Sequence, residues 1–141
     1  MKPRIRFAFP LALLLLVMAF AGVSHGQEVD TPEQVQDRID LLIYAEKGAG
    51  GIIRRLEKIE TDLFGRELPG SIAERQSGLL NFISNGTLGQ PSLIFKAGLA
   101  EWAIAHEVRP DLPLASRVTE IERQLEGEAA EGRPLAMRLE R

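Results

Sequence analysis

The sequence lacks cysteine, has only two histidines and shows no pattern typical of a β-strand. Without cysteine, disulfide bonds, thiol catalysis and the lipid-modified cysteine of a bacterial lipoprotein are excluded. The chain contains little β-branched alternation and no hairpin dipeptide between alternating runs, which argues against a sheet. Stability must therefore come from the packing of helices.

The sequence also has no excess of basic over acidic residues. The chain carries 17 Lys and Arg against 20 Asp and Glu, a formal net charge of −3. Nucleic acid binding needs clustered positive charge to displace counterions from phosphates, so nucleic acid is not an expected partner.

The N-terminus has the three-part form of a secretory signal: basic residues, an apolar run and small residues. Lys2, Arg4 and Arg6 precede the apolar residues 7–22, and Ser24-His25-Gly26 suits cleavage before Gln27. The run is broken by Pro10 and is shorter than the roughly 20 residues of a membrane span. We predict a signal peptide at 1–26 and a domain at 27–141, exported to the periplasm or the medium of a bacterium. The alternative is an uncleaved N-terminal membrane anchor.

A degenerate repeat of roughly 21 residues fills the rest of the chain. The copies share an apolar residue, a basic residue three places on and an apolar residue at plus four, with Gln76 as the exception. Apolar residues also recur at plus seven, and in four copies at plus eleven. These offsets follow one face of an α-helix. The copies begin at Val35, Ile52, Ile72, Leu93, Leu114 and Leu135.

Helix-start signals agree with the repeat. Thr31-Pro32-Glu33-Gln34 and Ser71-Ile72-Ala73-Glu74 each form a capping box, and glycine follows several segments at Gly48, Gly65 and Gly127. We predict an all-α fold, a small antiparallel helical bundle or a short α-solenoid of about six helices, preceded by a signal-peptide helix. The predicted helices are 32–47, 52–64, 71–84, 92–108, 113–126 and 134–141.

The fourth segment is apolar around nearly its whole circumference, which predicts a central helix with Trp102 as a core anchor. The short sixth copy leaves open whether the array continues past Arg141. The predicted core consists of Ile52, Leu56, Ile59, Leu63, Leu79, Ile83, Leu99, Trp102, Leu114, Val118, Ile121 and Leu125.

The phrases RRLEKIETDLFGRELPGSIAERQ and TEIERQLEG resemble repeats of exported bacterial proteins whose Arg-Leu-Glu helices end in Leu-Phe-Gly. The resemblance covers about residues 50–84 and 112–139. It implies an envelope location and a helical repeat, and it supplies no catalytic or binding residues.

Motifs for chemistry are weak. His106 has no second histidine one turn away, so it does not form a zinc-protease site, and we expect a packed or partly exposed residue. Lys47-Gly48-Ala49-Gly50-Gly51 lacks the spacing of a phosphate loop, and Gly48 is interpreted as a helix cap. The many carboxylates lie beside basic residues, as on solvated helix faces. No catalytic, metal-binding or cofactor-binding residue is indicated.

The repeated base is the one polar feature that the repeat singles out. We predict that Arg55 and Arg117 bind acids on adjacent repeats as register pins, with Glu60 and Glu122 as candidate partners. The competing interpretation is a basic row that binds an anionic polymer.

These features favour a non-enzymatic exported scaffold or protein-interaction module. Its partner would be an unknown envelope protein or a second copy. Leu114, Val118, Ile121 and Leu125 have the spacing of a coiled-coil seam, which in so small a domain favours an intramolecular core seam over self-association. A carboxylate-based hydrolase, or an accessory domain of an envelope enzyme, is the alternative.

Overall fold

Helices account for nearly all regular structure in the computed structural model, which describes residues 29–140. The predicted signal peptide, its cleavage site and the anchor alternative lie outside these residues. A π-helical segment, Asn81–Asn85, continues α3. Residues 29–140 form six α-helices: α1 Pro32–Tyr44, α2 Ile52–Phe64, α3 Ile72–Leu80, α4 Leu93–Ala105, α5 Leu114–Glu126 and α6 Leu135–Arg138.

Both predicted capping boxes form. The Thr31 and Ser71 side chains accept the N–H groups of Gln34 and Glu74, whose side chains accept the N–H groups of the caps. These bonds satisfy backbone donors that have no partner within the helix. They fix the start of α1 and of α3.

The helices also end at the same position of the repeat. Four helices have 13 residues each, and the residue that follows is left-handed in all four: Ala45, Gly65, His106 and Gly127. The prediction that Gly48 caps the first helix is wrong, because α1 already ends at Tyr44. The N–H of Gly48 instead donates to Asp40.

The helix starts correct the repeat register of the first copy. When Pro32 replaces Val35 as its first position, copies follow one another at intervals of 20 or 21 residues. The first four copies then align throughout their helices except in α3, which has one added residue. A single added residue commonly forms a π-helical turn, as it does at Asn81–Asn85.

The helices pack as a compact bundle rather than a solenoid. In a solenoid, each repeat contacts its neighbours alone. Here α1 packs against α5 as well as against α2 and α3, and α2 packs against α6. The core lies between these helices, whereas α4 packs mainly against α5 and the π-helical segment.

Most of the predicted core is buried, and Ile52, at the first position of α2, is half-buried. The prediction is wrong for Leu99 and Trp102, which are 54% and 57% exposed, because α4 lies at the edge of the bundle and not at its centre. It is also wrong for Leu125, which lies in the exposed last turn of α5. The buried members are Leu56, Ile59, Leu63, Leu79, Ile83, Leu114, Val118 and Ile121.

Within residues 29–140, no helix has the length and apolar character that crossing a membrane requires.

Candidate functional site: buried ion pairs and the outward surface of α4

A repeated ion-pair unit joins consecutive helices. In α1, α2, α4 and α5 the ninth residue is a buried acid that accepts two kinds of hydrogen bond. One comes from a backbone N–H eight residues later in the loop, and the other from the arginine at the fourth position of the next helix. We call this unit a register pin. The described part of the chain contains four register pins: Asp40 with Gly48 and Arg55, Glu60 with Leu68 and Arg75, Glu101 with Arg109 and Arg117, and Glu122 with Ala130 and Arg138.

The first register pin includes an additional acid. Arg55 Nε donates to Asp40 Oδ2 at 2.8 Å and Nη2 donates to Asp37 Oδ1 at 2.7 Å. Bonds from Lys47 and then Arg55 lower the pKa of Asp37. Burial lowers the pKa of Arg55, but its bonds to Asp37 and Asp40 raise it by more. Asp37 is therefore held as an anion.

The second and third register pins have the parallel two-bond geometry that suits arginine and carboxylate. Arg75 Nε and Nη2 lie 2.8 and 2.7 Å from the two oxygens of Glu60, and Arg117 makes the same two bonds to Glu101. The bond from Arg117 lowers the pKa of Glu101, with a smaller contribution from the N–H of Arg109, although burial opposes both. Each carboxylate thus fixes a loop and the next helix together.

The four residues predicted as register pins are placed in such pairs, but not with one another. Arg55 binds Asp40 and Asp37, Arg117 binds Glu101, and the candidate acids Glu60 and Glu122 bind Arg75 and Arg138. The candidate partners were wrong because the acid always precedes its base, by 15 or 16 residues. This nearly constant separation of acid and base is the sequence feature from which the pairs could have been predicted.

Gln76, the exception in the repeat, belongs to a buried polar network. Its amide nitrogen donates to the Gln36 side chain and to the Pro32 carbonyl, and Gln36 donates to Asp40. Gln36 and Gln76 occupy the same repeat position in α1 and α3, which pack together. The two glutamines therefore satisfy each other in a position that is otherwise apolar.

The junction between α3 and α4 lacks a register pin. Leu80 stands where the other helices have the acid, and Lys96 stands in the arginine position. Lys96 Nζ lies 3.5 Å from Glu140, at the surface. The connecting loop instead closes on itself through Thr87 and Gln90, which exchange two backbone hydrogen bonds.

Beside this junction, α4 exposes a row of large apolar side chains. Phe95, Leu99 and Trp102 are each 54–57% exposed and occupy helix positions 3, 7 and 10. We call these three residues the outward stripe of α4. His106 follows it as the helix cap, with its ring 5.8 Å from that of Trp102 and edge-on to it.

The equivalent positions of the other long helices carry polar side chains or glycine, apart from Leu41 in α1. The outward stripe is therefore not a property of the repeat. Those equivalents are Gln34, Arg38 and Leu41 in α1, Arg54, Lys58 and Thr61 in α2, Glu74, Gly78 and Asn81 in α3 with its π-helical continuation, and Ser116, Glu120 and Arg123 in α5.

The described residues 29–140 contain no cluster of three or more His, Cys, Asp or Glu side chains that could hold a metal ion. Comparison of the chain with protein-family models, with curated proteins and with solved structures gives no match.

Proposed function

We propose that this chain is an exported, non-enzymatic interaction module whose outward stripe of α4 packs against an apolar helix of a protein partner. The observation that carries the proposal is the contrast between α4 and the other helices at the same repeat positions. A soluble helical domain exposes polar side chains on its outer faces. A contiguous apolar row on one such face is typical of an interaction surface.

The seam considered from the sequence is less suited to this role. Leu114, Val118 and Ile121 are buried within the bundle, so only Leu125 of that group is exposed. The outward stripe of α4, in contrast, offers three large side chains at helical spacing, the arrangement by which one helix packs on another.

Export is proposed from the N-terminal sequence. The basic start, the apolar run of residues 7–22 and the small residues before Gln27 favour a cleaved leader. Mass spectrometry of the exported protein tests this prediction. A mature N-terminus at or near Gln27 supports it, whereas a chain that retains residues 1–26 in the membrane fraction supports the anchor alternative.

The hydrolase alternative requires a carboxylic acid that can donate a proton to a substrate. The acid of the third register pin, Glu101, is poorly suited, because bonds from Arg117 and from the N–H of Arg109 lower its pKa. The cavity beside Glu101 and Arg117 has a volume of about 10 Å³, room for about one water molecule. These observations argue against Glu101 as the proton donor of a hydrolase.

Site-specific photo-crosslinking in the producing cells tests the proposed function. A photoreactive amino acid replaces Phe95, and the matched control replaces Ser116, which occupies the same position of α5 and is also exposed. We expect a discrete protein adduct from position 95 that is lost when Leu99→Asp is added, and no adduct from position 116. Equal labelling at both positions, or none at position 95, would contradict the proposal.

A further inference from the structure

We infer that the helix that packs against the outward stripe of α4 is α4 of a second copy of this chain; the inference rests on the proposed function. The two copies would be related by a two-fold axis near Leu99, with the two α4 helices antiparallel.

The spacing of the outward stripe makes it self-complementary. Leu99 is at its centre, with Phe95 four residues before and Trp102 three residues after. In an antiparallel two-fold pair, Leu99 therefore meets its own copy, and Phe95 of each chain meets Trp102 of the other. The steps of four and three residues are those of a helix–helix seam.

Charge favours the second copy at this face. The chain has a formal net charge of −3, so two copies repel each other in general. The outward stripe carries no charge, and neither do Ala103 and Ala105 beside it, whereas Lys96, three residues before Leu99, is basic. In the two-fold pair, Lys96 of each chain lies opposite Trp102 of the other, so the two lysines do not face each other.

Two small, exposed residues beside the stripe, Ala103 and Ala105, allow close approach of a second helix. Gly98 lies on the side of α4 that faces α5, because a Cβ atom there would be 3.5 Å from Arg117 and from Val108. Val108, which lies beside Gly98 and is 45% exposed, extends the apolar area.

The available area predicts a weak dimer. Large side chains bury about 150–250 Å² each when fully covered, and those of the outward stripe are just over half exposed. Two copies would remove roughly 600–800 Å² from water through the stripe alone, which is small for a stable interface. We expect reversible association with a dissociation constant on the order of 100 μM.

A charge-swap experiment tests this inference. The protein as isolated from its producing cells, and the variants Leu99→Glu and Leu99→Lys, are compared by sedimentation velocity from about 10 μM to about 1 mM. Each variant places like charges opposite each other at the axis, so we expect dimerisation to weaken at least about tenfold. An equal mixture of the two variants should regain the dimer, because Glu then faces Lys.

Control variants distinguish a charge placed in the outward stripe from a charge placed elsewhere, and a loss of dimerisation from a loss of folding. Leu125→Glu adds the same charge to another exposed apolar position, on α5, and should leave dimerisation unchanged. Phe95→Glu provides a second variant within the stripe, and helical circular dichroism and melting temperature verify that each variant is folded. A dimer that survives Leu99→Glu, or a mixture of variants that stays monomeric, would overturn the inference.

The outcomes also distinguish this inference from the proposed function. A protein that is monomeric up to about 1 mM but crosslinks from position 95 to a different protein overturns the second copy and leaves the interaction module standing. A monomer that gives no adduct from position 95 overturns both. A crosslink from position 95 to Trp102 of another copy supports both.

Discussion

Two kinds of junction connect the helices, and they differ in what determines their geometry. At four junctions a buried carboxylate binds both the loop backbone and an arginine of the next helix. At the α3–α4 junction Leu80 replaces the carboxylate, the helix takes up an extra residue and the loop bonds to itself. The helix that follows the junction without a register pin is also the one with the apolar outward stripe.

Two consecutive helices of this repeat can thus be joined either through a register pin or through a loop that bonds to itself. A buried ion pair loses much of its Coulomb attraction to the cost of desolvation, so its main effect is on which arrangement is allowed. A register pin requires both partners at fixed positions in the chain. The α3–α4 junction has no such requirement, and α4 is free to lie at the edge of the bundle.

The largest expected effect comes from removing one member of a register pin. Glu60→Leu leaves the largely buried Arg75 guanidinium and the N–H of Leu68 without their acceptor. We expect the free energy of unfolding to fall by about 3–5 kcal/mol, measured by urea denaturation.

The double variant Glu60→Leu with Arg75→Leu is the control. Because it removes both charges, we expect it to be more stable than Glu60→Leu alone. If the double variant loses as much stability as the two single variants added together, the pair is not coupled and the comparison between junctions is invalid.

At the α3–α4 junction, which has no register pin, a glycine is closely surrounded by loop backbone atoms. Gly86 has a φ of 69°, and a Cβ atom there would lie 3.0 Å from the N of Ser92 and 3.1 Å from the O of Gln90. Gly86→Ala should therefore destabilise the protein by about 2 kcal/mol or more. Gly132→Ala is matched for positive φ but has open space around it, so we expect a loss near 1 kcal/mol. Equal losses would show that the loop contacts are unimportant.

The third register pin should make stability depend on pH in acid. The folded pKa of Glu101 lies below its ordinary value of 4.5. Its contribution is therefore present above that value and is lost as the pH falls toward the folded pKa. We expect the melting temperature to fall less steeply between about pH 6 and about pH 3 in Glu101→Gln than in the unmodified protein. Glu128→Gln, at an exposed position, should leave the slope unchanged; the same slope in all three proteins would exclude this role for Glu101.

A small gain is expected where a copy ends without glycine. Ala45 has a φ of 63°, a conformation that Gly65 and Gly127 adopt at the same position of their copies. Ala45→Gly should raise the free energy of unfolding by up to about 1 kcal/mol, seen as a higher melting temperature. A decrease would show that the side chain of Ala45 contributes more than the strain costs.

The fold was largely predictable from the sequence because its signals are local. The capping residues Thr31 and Ser71 and the apolar spacing within each copy determine where helices begin and which face is buried. The position of α4 was not predictable in this way. Its apolar circumference indicates burial on several sides, but only the long-range packing of α1 on α5 shows that the centre is already filled.

The bases of the register pins were predictable from the sequence, but their pairing with the acids was not. The recurring base identified Arg55 and Arg117, but the register placed on the first copy, at Val35, concealed Asp40 as the equivalent of Glu60. With Pro32 as the first residue, both acids fall on the ninth position of their helices. The outward stripe was not predicted, for a different reason. The sequence shows that α4 is apolar on two faces, but it does not show whether neighbouring helices cover one of these faces or both.

The short separation within each register pin has a consequence for folding. Acid and base are 15 or 16 residues apart, so closing the intervening loop costs little chain entropy. Adjacent helices can pair early, whereas contacts such as α1 with α5 require the whole chain to come together. We expect helical hairpins joined by register pins to assemble before α1 packs against α5.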